Sequence, residues 1–242
     1  MIRQIPVFLL DESSTPAHSL FNPNDWSKKS KQIIDSCAVN YGLLEYGTTK
    51  IEKMFSRAGI LCQPRFNQLV TQWKTSKWDV SSCVYLVEIP EAHLAIHGFL
   101  STIKTFMDVF VQLFHTEGIV HDEVHGFHKA GDKVGGRLLN MLTNNTNKPK
   151  RDAAAVLHDL ICEHKKIWID QVVGGRDALV HPESGLSRVM FALDVVETGE
   201  QLVLRRILKP SFGEKEFHVY ARETLGMVER FSKGCIECIK GS

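Results

Sequence analysis

The 242-residue sequence has almost no net charge, no repeats and no low-complexity segment. Lysine and arginine together number 29, and aspartate and glutamate number 28, so the formal net charge is only +1. This balance excludes the uniformly basic surface of a general nucleic-acid coat, and any nucleic-acid site must therefore be compact. With 43% hydrophobic and 24% charged residues, the composition is that of an ordinary globular protein and not of a disordered tail or a fibre.

Signals for export and for membrane insertion are missing as well. The apolar run from Ile5 to Leu10 is too short for the core of a signal peptide. The most apolar long segment, Ile96 to Phe114, is interrupted by Lys104 and Asp108 and falls short of a membrane span. We therefore expect a cytoplasmic protein that does not enter the membrane.

Cysteines are few and are scattered through the predicted helices and strands. In a cytoplasmic protein of this length they predict reduced thiols, most of them small core residues, and not a disulfide framework. Cys235 and Cys238 form a CxxC pair without a second pair, so packing in the last helix is the favoured interpretation. The cysteines are Cys37, Cys62, Cys83, Cys162, Cys235 and Cys238.

Apolar residues recur at spacings of three and four, which predicts a mainly helical chain. Two segments alternate apolar and polar residues on either side of Thr198-Gly199 and predict a β-hairpin. The hairpin strands are expected at Val189 to Val195 and Leu202 to Leu208. The helices are expected at Glu91 to about Phe114, Asp132 to Leu142, Asp152 to Val173 and Glu214 to Ile239.

The first ninety residues are less regular. Asn24 to Leu44 and Arg65 to Lys77 have helical patterns, Val84 to Ile89 is a candidate strand, and Pro64 and Pro90 interrupt the pattern. No linker-like stretch separates this region from the rest. We therefore expect an N-terminal α(+β) extension, residues 1–90, packed on a helical domain of residues 91–242.

Arg176, Asp177 and His181 follow Gly174-Gly175, where the helix from Asp152 is expected to end. The spacing between arginine and histidine is by itself no evidence for a site, because chance produces such pairs. Arg151 and His158 form another pair of this kind. Residues five apart lie roughly 140° apart around a regular helix, so Arg176 and His181 can converge only at an irregular helix end or across two chains.

The local sequence favours such an end. Glycines loosen the helix before Arg176, and Pro182 biases His181 away from the α conformation. Asp177 precedes His181 by four residues and could hold the imidazole ring, and the helix C-terminus favours its protonated form. The non-functional interpretation is a surface ion pair between Arg176 and Asp177 worth under about 1 kcal/mol. His181 would then only cap the end of the helix.

The run Arg176-Asp177-Ala178-Leu179-Val180-His181, followed by a hairpin and a last helix, resembles the motif of the HEPN (higher eukaryotes and prokaryotes nucleotide-binding) family. The resemblance covers residues 91–242. It implies a helical bundle, commonly a homodimer in which the motifs of two protomers face each other across a cleft. Many members are similar to metal-independent endoribonucleases of toxin, antiviral-defence or RNA-processing systems, and others keep the fold without activity.

Metal-free RNA cleavage needs a base for the ribose 2′-hydroxyl, an acid for the leaving oxygen and a cation for the phosphorane. The expectation is that His181 is the base in one protomer and the acid in the other, that Arg176 stabilises the transition state and that Asp177 orients one of them. The products would carry a 2′,3′-cyclic phosphate, and no metal or cofactor is expected. An antitoxin or another protein is a further expected partner. The alternative is a non-catalytic module that binds RNA, a nucleotide or a protein.

Two other clusters are candidate binding sites. Arg205, Arg206 and Lys209 lie on the predicted hairpin directly after the motif and could hold flanking phosphates of RNA. A second cluster offers His121 and His125 at helical spacing for zinc, but a solvated polar loop is favoured. Its members are His115, His121, Asp122, Glu123, His125 and His128.

Overall fold

The computed structural model describes residues 20–22, 26–76, 82–127, 133–145, 150–180 and 188–241. Within these residues the protein is mainly helical and contains a small antiparallel sheet, so the expected mainly α class is confirmed. His181 and His128 lie outside the described residues, as does the N-terminal run from Ile5 to Leu10.

The first two helices are longer than the sequence pattern predicts. Helix α1 spans Lys28–Ser56 and begins where the Ser27 hydroxyl accepts a hydrogen bond from the backbone N–H of Ser30. It continues past Leu44 because its buried stripe continues at spacings of three and four. The buried stripe consists of Ile34, Cys37, Tyr41, Leu44, Thr48, Ile51 and Phe55.

Helix α2 spans Ala58–Ser76 and contains Pro64, which was expected to interrupt the chain. Proline removes one backbone hydrogen bond, whose acceptor in a regular helix would be the carbonyl of Ile60. Ile60 is exposed. The helix tolerates Pro64 because water can donate a hydrogen bond to the free carbonyl on this exposed side.

Helix α3, Pro90–Phe110, is the central helix, with Pro90 in its first turn. A break at Val111 separates it from the short helix α4, Gln112–Thr116, so the helix expected from Glu91 to Phe114 is confirmed with one interruption. Phe106, Phe110 and Phe114 are fully buried, and α3 packs against α1 and against the helix that carries Arg176. The expectation that Ile96 to Phe114 falls short of a membrane span is wrong by this measure, because Pro90–Thr116 is long and apolar enough to cross a membrane by length and composition alone. A core helix passes the same test.

Helix α5 spans Gly136–Thr143, and α6 spans Arg151–His164. A π-helical segment, Lys165–Ile169, connects α6 without a turn to α7, Asp170–Val180. The last helix, α8, spans Phe217–Lys240 and confirms the predicted C-terminal helix. Its buried Phe231 contacts the rings of Phe110, His164 and Trp168, so that α3, α6 and α8 share one core.

The predicted hairpin is confirmed as β2, Met190–Thr198, and β3, Gln201–Leu208, and it continues into a three-stranded sheet. Strand β1, Ser82–Glu88, pairs with β2 in antiparallel register, with Tyr85 opposite Leu193. A second hairpin that the sequence analysis did not predict, β4 (Ser211–Phe212) and β5 (Lys215–Glu216), precedes α8. Strand β1 thus joins residues before position 90 to residues after it in one sheet.

A single hydrophobic core contains buried residues from both sides of position 90. Phe55 at the end of α1 contacts Phe191 of β2, and their ring centroids are 5.7 Å apart. Phe21 contacts Phe106 and Phe110 of α3. Burying one such ring contributes about 1.5 to 3 kcal/mol to the free energy of folding. Residues 20–76 therefore contribute directly to the core around α3.

Candidate functional site around Arg176

The helix that carries the motif is anchored through its π-helical segment. The indole Nε1 of the buried Trp168 donates a hydrogen bond to Nδ1 of His164 over 2.8 Å. Burial lowers the pKa of His164, which favours the neutral imidazole that can accept this bond. Lys165 Nζ contacts both the carbonyl oxygen of Val134 and the carboxylate of Asp170, at 2.7 and 2.6 Å. π-Helical turns occur often at functional sites, and this one fixes where α7 begins.

The expected helix end at Gly174-Gly175 is wrong, because α7 continues through both glycines to Val180. Position 175 requires glycine because the ring of Phe212 lies close to the backbone there. A Cβ added to Gly175 would lie 2.5 Å from Cε2 of Phe212 in the β4–β5 hairpin. Gly174 has no neighbour within 4 Å of such a Cβ. Gly175 thus provides room for an aromatic ring and does not end the helix.

These adjacent glycines give a matched pair of substitutions. Gly174→Ala should raise the free energy of unfolding by about 0.5 to 1 kcal/mol, because alanine loses less backbone entropy in a helix. Gly175→Ala should lower it by about 1 to 2 kcal/mol, because the Phe212 ring must move. Urea denaturation of both variants measures the difference. If both alanine variants change the free energy of unfolding in the same direction, the packing of Phe212 does not require glycine at position 175.

Arg176 and Asp177 are half-buried neighbours on this continuous helix. Arg176 Nη1 donates to Asp177 Oδ1 over 3.0 Å, and the two side chains are 34% and 26% exposed. The Nε of Arg176 is buried and has no hydrogen-bond partner within the described part of the chain. A buried donor without an acceptor costs about 1 to 3 kcal/mol, which makes it a natural position for an anionic oxygen.

The regular geometry of α7 changes how Arg176 could meet His181. The helix is continuous at Gly174-Gly175, so no irregularity there turns Arg176 toward the helix face on which Asp177 lies. Instead the long guanidinium side chain reaches Asp177 directly. His181 lies outside the described residues, so its position relative to Arg176 and Asp177 stays a prediction.

Comparison with family models, with curated proteins and with solved structures finds no match to this chain.

The basic cluster on the hairpin is largely neutralised. Arg206 Nε contacts Asp194 Oδ2 at 2.9 Å, and Lys209 Nζ contacts Glu216 Oε2 at 3.2 Å. Arg205 is exposed and is the extra residue where the register between β2 and β3 shifts. Of the three residues expected to bind RNA, only Arg205 has no ion pair among the described residues, so the cluster offers one free cation and not three.

The histidine cluster does not converge in the described segment. His121, Asp122, Glu123 and His125 are exposed, and the ring of His125 lies 3.5 Å from Glu123. His115 is half-buried at the end of α4. Among residues the structure describes, no group of three or more His, Cys, Asp or Glu side chains is arranged to hold a metal ion.

All six cysteines lie in described positions and are free thiols. Three of them, Cys37, Cys62 and Cys235, are buried, and the other three are half-buried. Burial raises the pKa of both Cys235 and Cys238, and Cys238 donates to the carbonyl oxygen of Ala153 over 3.4 Å. The CxxC pair therefore serves packing between α6 and α8.

A cavity of about 640 Å³ lies against the face of α7 that carries Gly174, Gly175 and Ala178. Arg176 and Asp177 do not line it. Most of its walls are apolar, and its polar side chains are those of Asp170, Gln171, Arg188 and Ser211. The sequence pattern gave no sign of this cavity, because its walls come from α3, α7, β2 and the β4–β5 hairpin.

Helix α3 carries two histidines that the sequence analysis did not single out. The rings of His93 and His97 stack with centroids 6.3 Å apart, and Nδ1 of His93 is buried without a hydrogen-bond partner in the described ranges. Their spacing of four residues on a predicted helix would have identified them as neighbours. They lie on the helix that packs against α7.

Proposed function

We propose that the protein is a metal-independent endoribonuclease of the HEPN type, acting in a toxin, antiviral-defence or RNA-processing system. The observation that carries the proposal is the half-buried guanidinium of Arg176, which holds Asp177 through Nη1 while its buried Nε has no acceptor among described residues. A phosphate oxygen fits such a position, because a guanidinium binds two oxygens of one phosphate in a fork-like geometry.

In the proposed reaction, His181 removes the proton of the ribose 2′-hydroxyl, and the resulting alkoxide attacks the adjacent phosphorus. The 5′-oxygen leaves as it receives a proton from His181 of a second protomer, and a 2′,3′-cyclic phosphate remains on the other product. Arg176 stabilises the charge that develops on the phosphorane oxygens. Asp177 holds Arg176 in place. A two-fold homodimer is part of the proposal because each chain supplies a single histidine of the motif.

The test is cleavage of single-stranded and structured RNA by purified protein in EDTA. We expect products with a 2′,3′-cyclic phosphate, which mass spectrometry identifies. His181→Ala protein prepared in the same way controls for a contaminating nuclease. Equal cleavage by the two proteins would contradict the proposal.

The second candidate function is a non-catalytic module that binds a nucleotide. The observation that favours it is the cavity beside Gly174 and Gly175, because ligand pockets are mostly apolar with a few polar groups at defined places. Phe212 offers an aromatic ring there, and Arg188 offers a cation. EDTA-resistant cleavage that depends on Arg176 distinguishes the nuclease from this alternative.

A further inference from the structure

A groove between the end of α1 and the start of α2 combines positive charge with an exposed aromatic ring. Its volume is about 320 Å³. On α1 the lining residues Tyr46, Lys50 and Lys53 are separated by four and three residues, and Arg57 follows after four more, so they form one stripe along the helix. Leu61 of α2 forms part of the opposite wall.

The three cations of this groove have no counter-charge among the described residues. Lys50, Lys53 and Arg57 are all exposed, and none makes an ion pair or a side-chain hydrogen bond with any described residue. The acidic neighbour Glu52 is instead bound to Arg222, whose Nε lies 2.6 Å from Glu52 Oε1. A protein with a net charge of +1 thus concentrates three cations without a described counter-charge over about two helical turns, from Lys50 in α1 to its C-cap Arg57.

Tyr46 adds an aromatic platform at one end of the stripe. It is 66% exposed, although a tyrosine ring usually contributes to stability by burial. A stripe of cations that follows a phosphate backbone, next to an exposed ring on which a base can stack, is the arrangement of single-strand binding surfaces. A duplex does not offer an unstacked base to such a ring.

We propose that this groove binds single-stranded RNA, with Lys50, Lys53 and Arg57 on successive phosphates and a base stacked on Tyr46. The choice of RNA over DNA rests on the proposed ribonuclease function. The concave shape of the site favours a strand over an anionic membrane, because a flat lipid surface cannot enter a groove between two helices. The groove is separate in the fold from Arg176, which lies on α7.

The experiment measures the affinity of the whole chain for a fluorescein-labelled oligouridine by anisotropy, in EDTA and in the His181→Ala background so that the RNA survives. The triple variant Lys50→Gln, Lys53→Gln, Arg57→Gln should bind at least about tenfold more weakly. The slope of log affinity against log salt should fall by about 2, since each lost single-strand phosphate contact removes roughly 0.7. Tyr46→Ala should bind about tenfold more weakly and Tyr46→Phe like the parent.

The matched control is Lys28→Gln, Lys29→Gln, Lys31→Gln at the opposite end of α1. These lysines are also exposed and have no ion pair in the described structure, so the control makes the same change in net charge on the same helix. Circular dichroism of both triple variants checks that the fold is kept. Only the groove variant should lose affinity.

Equal losses in the two triple variants would overturn the proposal, because they would show a non-specific charge effect. Equal affinity for oligouridine, oligodeoxythymidine and duplex RNA would overturn the assignment to single-stranded RNA, as would a variant defect seen only with anionic vesicles. If the wild type cleaves RNA but the groove variant binds like its parent, the groove assignment fails and the nuclease stands. If binding depends on the groove but no protein cleaves, the nuclease fails and the groove stands.

Discussion

Replacing Arg176 by alanine is expected to lower the rate of RNA cleavage by about 100- to 1000-fold, the loss typical of removing one donor that stabilises a transition-state oxyanion. The effect should appear in kcat more than in KM, because the guanidinium acts on charge that develops during the reaction. Arg176→Lys should recover only part of the activity, since a lysine ammonium lacks the planar fork. Single-turnover cleavage of labelled RNA in EDTA measures all three proteins.

The stability of Arg176→Ala should remain close to that of the wild type. The pair with Asp177 is partly exposed, and the substitution also removes the buried Nε that has no acceptor in the described structure. Lys215→Ala is the matched control, because Lys215 is also paired with a carboxylate, that of Glu223, but lies on β5. Loss of activity in both variants, or unchanged cleavage by Arg176→Ala, would remove Arg176 from the proposed mechanism.

Replacing Gly135 by alanine is expected to lower the free energy of unfolding by about 2 to 5 kcal/mol, the sum of a left-handed backbone penalty and an overpacked contact. Gly135 has a φ of 65° directly before α5. A Cβ there would lie 2.6 Å from Cε1 and 2.9 Å from Cε2 of Phe127. Phe127 is 1% exposed and its N–H donates to Asp108, so the ring cannot move aside easily.

Gly199→Ala separates the two causes. Gly199 has a φ of 62°, close to that of Gly135, but no atom lies within 4 Å of an added Cβ. It should therefore show the backbone penalty alone, about 1 to 2 kcal/mol. Urea denaturation of both variants gives the comparison. Equal losses at the two positions would show that the Phe127 contact contributes nothing.

Much of the secondary structure follows from local patterns in the sequence. The stripes that end in Phe110 and Ile239 predict α3 and α8, and the turn at Thr198-Gly199 predicts the β2–β3 hairpin. The stripe of Tyr46, Lys50, Lys53 and Arg57 was equally visible at its spacings of three and four, once α1 is extended beyond Leu44. It was missed because the predicted helix ended too early.

The roles of the glycines could not be predicted in this way. Gly174-Gly175 had the composition of a helix end, yet the helix continues because packing on α3 outweighs the roughly 1 kcal/mol cost of each glycine. Gly135 was expected inside a helix and instead precedes it with a positive φ. In both places an aromatic ring outside the helix, Phe212 of the β4–β5 hairpin or Phe127 before α5, occupies the space of the missing side chain.

The sequence by itself therefore determined the approximate positions of the main helices, the β2–β3 hairpin, the free cysteines and the group of residues from which a site at Arg176 is proposed. Only the tertiary structure decided that β1 pairs with β2, that α7 continues to Val180, that Arg206 and Lys209 are neutralised and that Arg176 keeps a buried donor without an acceptor among the described residues. The physical reason is the separation in sequence over which each interaction acts. Helix periodicity and turn chemistry act between neighbours in sequence, whereas strand pairing, ion pairs and ring contacts depend on residues that folding brings together.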